Sequence, residues 1–314
     1  MNILVTGASG FVGSSLCQSL IKNNYHVTAI VRAKNSKPIA SYVFFKTLDA
    51  NTDFGDSLKF VNLVIHLAGR AHILDDKNSN SLAEYRRANV DSTLNLARQA
   101  ALAGVKRFIF VSSVKVNGEL TENNKLFSAN DIPNPQNPYG ISKLEAELGL
   151  MQLSRETGME VVIVRPPLVY GPNVKANFLS MIKILDIGIP LPFGNIGNKR
   201  SLVFIDNLVD LLIRVIEHPK AAGQVFLVSD DHDVSTTTLL KAMSSAMGKK
   251  AKLIPIPSLL LKTIFYLIGR TSFSQKLLGS VRLDISKTKK LLNWSPPVSF
   301  EKAIEKTGRS FLSK

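Results

Sequence analysis

The chain has 314 residues, 45% hydrophobic and 20% charged, which fits a globular protein with a large core and excludes collagen-like, disordered and disulfide-built classes. Its 39 lysines and arginines against 24 aspartates and glutamates give a formal charge of +15. The basic residues are scattered, without an aromatic-rich RNA-binding signature or a metal-ligand spacing, so the charge is read as a field for phosphorylated small substrates, not nucleic acid, with loose attachment to anionic lipid as the weaker option.

In chain order, the apolar run Asn2 to Val5 reads as a strand and is followed by TGASGFVG, Thr6 to Gly13, and then a helical pattern. Gly7, Gly10 and Gly13, with Phe11 and Val12 between them, fall where a strand turns tightly into a helix beside a bound diphosphate, which predicts a dinucleotide. The single cysteine, Cys17, sits on an apolar face of that helix. It reads as a small buried residue in a protein of a reducing compartment. No signal-peptide pattern opens the sequence, and a cytoplasmic location is expected.

The second strand, His26 to Val31, runs into Arg32, Ala33 and Lys34. An acidic residue here would accept from the adenosine ribose, whereas a guanidinium grips a 2'-phosphate, so Arg32 and Lys34 favour NADP(H), with NAD(H) the alternative and a solvated basic loop the bland reading. Further strands are expected at Val43 to Thr47, Leu63 to Leu67, Phe108 to Val111 and Val161 to Arg165. Asp49, after the third, is placed to reach the adenine amino group. Leu67, Ala68 and Gly69, after the fourth, give small residues beside the cofactor, and Pro166, after the last, is counted with them. Amphipathic helices are expected over Tyr85 to Ala103 and Lys143 to Thr157.

This alternation predicts an α/β fold, a Rossmann-type doubly wound parallel sheet whose ligands gather beyond the carboxyl ends of the strands. Residues 1–165 form the NAD(P)-binding domain. A strand at Ser201 to Ile205 and the helix after it, within 200–228, return to the sheet, while 166–199 and 229–314 form a smaller C-terminal substrate-binding annex. The apolar stretch Leu259 to Ile268 contains Lys262 and falls short of the roughly 20 residues that cross a bilayer. It is read as a buried or subunit-facing helix.

Ser112 and Ser113 end the strand Phe108 to Val111, and PYGISK puts Tyr139 and Lys143 four residues apart on one helix face. A phenol is a weak acid, with a reference pKa of about 10. Lys143, with the positive ring of an oxidised nicotinamide, is expected to favour the phenolate, so that Tyr139 moves the proton while Ser113 hydrogen-bonds the same substrate oxygen. Ser113, Tyr139 and Lys143 are therefore the expected catalytic residues.

With these motifs the chain resembles the extended short-chain dehydrogenase/reductases, and among them the nucleotide-sugar epimerases, dehydratases and reductases. TGASGFVG resembles the family's glycine motif, Ser113 its serine or threonine, Tyr139 with Lys143 its YxxxK pair, and Asn89 an asparagine that steadies the active site beside the cofactor. The resemblance implies that Arg200 binds a substrate diphosphate, that Lys115, Asn177 and Phe178 lie near a UDP-sugar, and that a homodimer forms through the helices at Tyr85 to Ala103 and Lys143 to Thr157. Leu168 replaces an asparagine common before VYGP, and no arginine-glycine-aspartate motif precedes Asp284. RPPLVYGPNVKANF, KRSLVFIDNLVDL and NWSPPVSFEKAI are similar to bacterial C4 reductases of surface-polysaccharide pathways. The expectation is NADPH-dependent reduction of a UDP-4-keto-6-deoxy-N-acetylhexosamine, and the alternative is a UDP-glucose or UDP-N-acetylglucosamine 4-epimerase with tightly bound NAD. Val114 and Lys115 after Ser113 do not supply the acid-base pair of a 4,6-dehydratase. A dehydrogenase of a hydrophobic alcohol, or a non-catalytic NADP-binding protein, are the readings from other classes.

Overall fold

In the computed structural model, which describes residues 1–32, 38–70, 81–122 and 125–313, with Ala176, Asn177 and Ser272 described by their backbone alone, strands and helices alternate from the first residues. β1 (Asn2–Thr6), α1 (Phe11–Lys22), β2 (His26–Val31), β3 (Tyr42–Phe45), α2 (Gly55–Leu58) and β4 (Leu63–His66) come first. α3 (Ser81–Arg86), α4 (Ser92–Leu102), β5 (Arg107–Val111), α5 (Pro138–Thr157), β6 (Glu160–Arg165), β7 (Leu168–Tyr170) and α6 (Ala176–Ile187) follow. β8 (Arg200–Phe204), α7 (Ile205–Glu217), β9 (Gln224–Leu227), β10 (Asp233–Val234), α8 (Thr236–Ala246), α9 (Ser258–Leu267), α10 (Thr271–Leu278), α11 (Ser286–Leu292) and α12 (Phe300–Leu312) complete the order.

Seven strands form one parallel sheet in the order β3-β2-β1-β4-β5-β6-β9. β1 is central, with Ile3 opposite Val27 on one side and Leu63 on the other. The strands read as unbroken apolar runs because both faces are covered. Ile3, Val5, Ile65 and Ile109 pack on one face with Leu16, Leu20, Leu208 and Leu212 of α1 and α7. Leu4, Val64, Phe108 and Phe110 pack on the other with Leu96, Ala100, Ala146 and Leu150 of α4 and α5. Cys17 is fully buried, and burial pushes its thiol up to about 12.

Two expectations change. The strand at Ser201 to Ile205 does not return to the large sheet: as β8 it pairs with β7 and β10 in a separate three-stranded sheet, and β9 takes the place beside β6. The edge of β6 needs a parallel partner reached by a crossover helix, and α7 delivers β9 there. The expected helix from Tyr85 to Ala103 is broken by a π-helical segment, Arg87–Asp91. Among the described residues no helix is long and apolar enough to cross a membrane.

Candidate active site

The chain leaves β1 toward β2 on one side of the sheet and continues from β4 to β5 on the other, so the crevice between β1 and β4 is the topological switch point. The glycine turn sits there. Gly7 has φ +70°, and a Cβ on it would lie 2.9 Å from the Ala68 nitrogen. A Cβ on Gly13 would lie 2.1 Å from the Gly7 oxygen, so only glycine lets α1 start this close to the turn. Gly10 caps α1 without a side-chain hydrogen bond and no acid stands in the first turn, which leaves the N–H groups of Phe11 and Val12 for an anion. A cleft of about 440 Å³ lined by Ser9, Ser14, Gln18, Pro38, Ile39 and Asn173 opens beside the turn. These residues fit the diphosphate of a dinucleotide.

Arg32 follows β2 directly and is exposed, while Lys34 lies outside the described residues. Asp49 Oδ1 accepts from the Asn51 nitrogen (2.8 Å) and the Thr52 hydroxyl (3.0 Å), bonds that close its own loop and hold its carboxyl below the usual range. After β4, Leu67 and Ala68 are tied to β1: the Leu67 nitrogen donates to the Thr6 oxygen, and the Ala68 nitrogen donates to Thr6 Oγ1 at 3.2 Å. The same Oγ1 meets His66 Nδ1 at 2.7 Å, and His66 Nε2 meets Thr93 Oγ1 at 2.9 Å. Burial first, then the positive charge of Lys143, pushes the imidazole down to about 3, so it stays neutral. No motif announced this chain across β1, β4 and α4.

The π-helical segment aims Asn89 at the loop after β4. Its Nδ2 donates to the Arg70 oxygen (3.1 Å) and Ser142 Oγ (3.0 Å), and its Oδ1 accepts from the Arg70 nitrogen (2.7 Å). Asn89 thus ties this loop to α5, one residue before Lys143. Gly69 lets the two meet, since a Cβ there would lie 3.1 Å from Asn89 Oδ1 and 3.5 Å from Lys143 Nζ.

Ser113 follows β5 by two residues and caps the 3-10 turn Val114–Val116, accepting from the Lys115 nitrogen at 3.2 Å. Val114 in turn donates to the Pro166 oxygen at 3.0 Å, joining the ends of β5 and β6. Tyr139 lies in the first turn of α5, after Pro138, with Asn137 Oδ1 capping Gly140 at 2.7 Å. Burial pushes the Tyr139 phenol up to about 12, the hydrogen bond with Ser113 opposes this, and Tyr85, edge-on at 6.1 Å, adds to it. Lys143 donates to the Val111 oxygen at 3.0 Å and sits 4.4 Å over the Phe110 ring. Burial pushes its ammonium down to about 8 against the pull of Glu147.

Ser113, Tyr139 and Lys143 thus lie together where β5 ends and α5 begins. The Lys143 ammonium is turned to the Val111 oxygen and the Phe110 ring, and burial raises the Tyr139 phenol. A buried phenol loses more by desolvation than Ser113 returns.

The sequence pattern of the NAD dependent epimerase/dehydratase family matches residues 3–229, from β1 to just past β9. The chain belongs to this family. It is 46% identical, over 99% of its own length and 95% of the relative's, to a UDP-glucose 4-epimerase of Vibrio cholerae. The crystal structure of UDP-glucuronic acid 4-epimerase from Bacillus cereus with NAD superposes with a TM-score of 0.79 at 27% identity, covering 99% and 96% of the two chains. That of a Thermotoga maritima UDP-glucose 4-epimerase with UDP-glucose gives 0.79 at 26%, covering 100% and 99%.

The Phe178 side chain is buried and stacked on Tyr170 at 5.5 Å, so it packs in the core under α6. Asn177 is placed in the first turn of α6 by its backbone. Lys115 pairs with Glu119, which also accepts from Asn137, so its ammonium braces the start of α5. Arg200 opens β8, and its Nη1 donates to the Lys276 oxygen at 2.5 Å and the Gly279 oxygen at 3.4 Å. Glu147 and Arg165 form a buried ion pair beneath Lys143, with Nε to Oε1 at 2.9 Å and Nη2 to Oε2 at 2.5 Å. Its signal in the sequence was only the four-residue step from Lys143 to Glu147.

Proposed function

We propose that this chain is a UDP-sugar 4-epimerase that interconverts UDP-glucose and UDP-galactose, or their N-acetylated forms, and keeps its NAD bound through the cycle. The observation that carries the reading is the 46% identity to a UDP-glucose 4-epimerase along essentially the whole chain, with Ser113, Tyr139 and Lys143 gathered at the sheet edge. NADPH-dependent reduction of a 4-keto sugar rests on Arg32, exposed after β2, on Lys34 and on the similarity of three strings to C4 reductases, and the solved Bacillus cereus relative carries NAD.

A bound nicotinamide dinucleotide supplies the hydride acceptor and donor. Every proton step then falls to the protein. Tyr139 as the phenolate would take the proton of the sugar 4-hydroxyl and, as the phenol, return it to the 4-keto oxygen; the positive charge of an oxidised nicotinamide would favour that phenolate against the burial that raises the phenol. Ser113 hydrogen-bonds the same oxygen as it passes between hydroxyl and carbonyl. Lys143 is fixed by the Val111 oxygen one turn from Tyr139, and burial lowers its ammonium to about 8. Arg200, anchored through Nη1, offers its guanidinium edge to the substrate diphosphate. The reading includes a homodimer through the outer faces of α4 and α5, where Leu148 is exposed.

The test is to incubate purified protein with UDP-galactose and no added cofactor, and to identify any nicotinamide released on denaturation. UDP-glucose formed by protein that releases NAD supports the proposal. Protein that releases none, leaves UDP-galactose unchanged and uses NADPH to reduce a 4-keto sugar nucleotide overturns it.

A further inference from the structure

α9 and α10 form a helical hairpin attached to the body by little apolar material: Leu261 and Leu278 are buried with Ile196. Phe265 and Leu277 are partly buried against them, and much of the remaining apolar surface points outward. Leu259 and Leu267 are each 76% exposed and Tyr266 72%, and Ile268 and Phe273 are exposed beside them. A monomeric protein rarely leaves so contiguous an apolar, aromatic-tipped face in water. The hairpin is far too short to span a bilayer but has the composition of an element that lies in the interface plane.

Charge identifies the occupant. From Val234 to Leu283 the sequence contains eight lysines and arginines and no aspartate or glutamate, while the whole chain has 39 basic and 24 acidic residues. Lys262 and Arg270 lie on or beside the hairpin, exposed among its apolar residues. A second copy of the chain docking by the same patch would bring these cations against their own images. A leaflet rich in anionic lipid accepts both the cations and the apolar side chains.

We propose that the α9–α10 hairpin is a membrane-docking surface that seats the protein on an anionic phospholipid bilayer. The seat stands beside the candidate site. The cleft between the two helices, lined by Leu120, Lys262, Tyr266 and Gly279, has a volume of about 440 Å³. Gly279 and Lys276 give their carbonyl oxygens to Arg200. A docked protein would thus hold the Arg200 end of its substrate site close to the lipid headgroups.

The experiment is co-sedimentation of the full chain with vesicles of phosphatidylglycerol and phosphatidylethanolamine, or of phosphatidylcholine, at low and high salt. Wild type is expected to sediment with the anionic vesicles at low salt and to be released by salt. Leu267→Glu should weaken this more than tenfold, and Lys262→Glu about fivefold or more. Tyr266→Ser serves as a milder second variant, and light scattering and circular dichroism report folding and oligomeric state. Conversion of UDP-galactose in the same samples should be unchanged, so failure of the docking proposal is separable from failure of the epimerase reading. Absence of binding to anionic vesicles, or equal binding to phosphatidylcholine, overturns the proposal. So does an oligomer that Leu267→Glu dissociates, which would make the patch a contact between copies.

Discussion

Replacing Glu147 by alanine probes the ion pair beneath the catalytic lysine. Both side chains are 4% exposed, and with Glu147 gone the Arg165 guanidinium keeps, of its described side-chain partners, only Asn117 Oδ1 at 3.1 Å. An unpaired buried cation of this kind costs about 3–5 kcal/mol, a large part of the roughly 5–15 kcal/mol that holds a domain folded. Urea unfolding of Glu147→Ala should show that loss. The paired change Glu147→Leu with Arg165→Met removes both charges and should recover stability to within about 1 kcal/mol. It should not recover the field at Lys143, which Glu147 pulls upward. The ammonium pKa then falls below about 8, and the limb of the pH–rate profile that belongs to Lys143 moves to lower pH. A loss under about 1 kcal/mol in Glu147→Ala, or a double variant as unstable as the single one, would refute the reasoning.

Tyr139→Phe should leave dinucleotide binding intact and lower kcat by about 10² or more, because only the proton carrier is removed; near-normal turnover would contradict the assigned role. Gly13→Ala places a Cβ 2.1 Å from the Gly7 oxygen and should cut dinucleotide affinity more than tenfold by titration, whereas Gly104→Ala, with φ +78° and no heavy atom within 4 Å, should cost only about 1 kcal/mol of stability. His66 has a folded pKa of about 3 against an unfolded 6.5. The unfolded chain therefore takes up a proton that the folded one refuses, and the stability present above pH 6.5 is lost as pH falls. Between pH 7 and pH 4 this single group should account for about 3 kcal/mol, measured as the difference in urea stability between wild type and His66→Asn.

The glycine turn and the Ser113, Tyr139, Lys143 trio were legible because each is a local pattern at a strand end, where spacing alone fixes the geometry. The sheet membership of β8 was not: an apolar run of five residues does not say which sheet it joins, and β9, with only four, gave a weaker signal. The packing of Phe178 was not legible, because an aromatic residue on an amphipathic helix reads the same whether its ring faces a ligand or the core, and only the structure shows its stacking on Tyr170. The break at Arg87–Asp91 that aims Asn89 has no periodicity signal, since a π turn adds one residue to an otherwise helical pattern. The anchoring of Lys143 escaped for a related reason. Four residues of separation put Lys143 on the right face, but the bond to the Val111 oxygen comes from a strand 32 residues earlier.

The most direct test of the central claim is to give the purified protein UDP-galactose deuterated at C4, without added nicotinamide cofactor, and to follow the product by NMR and mass spectrometry. A 4-epimerase that returns the same hydride to the opposite face yields UDP-glucose with the deuterium still on C4, even when unlabelled NADH is present in excess. Loss of the label to the added cofactor, or no UDP-glucose at all, would contradict the account.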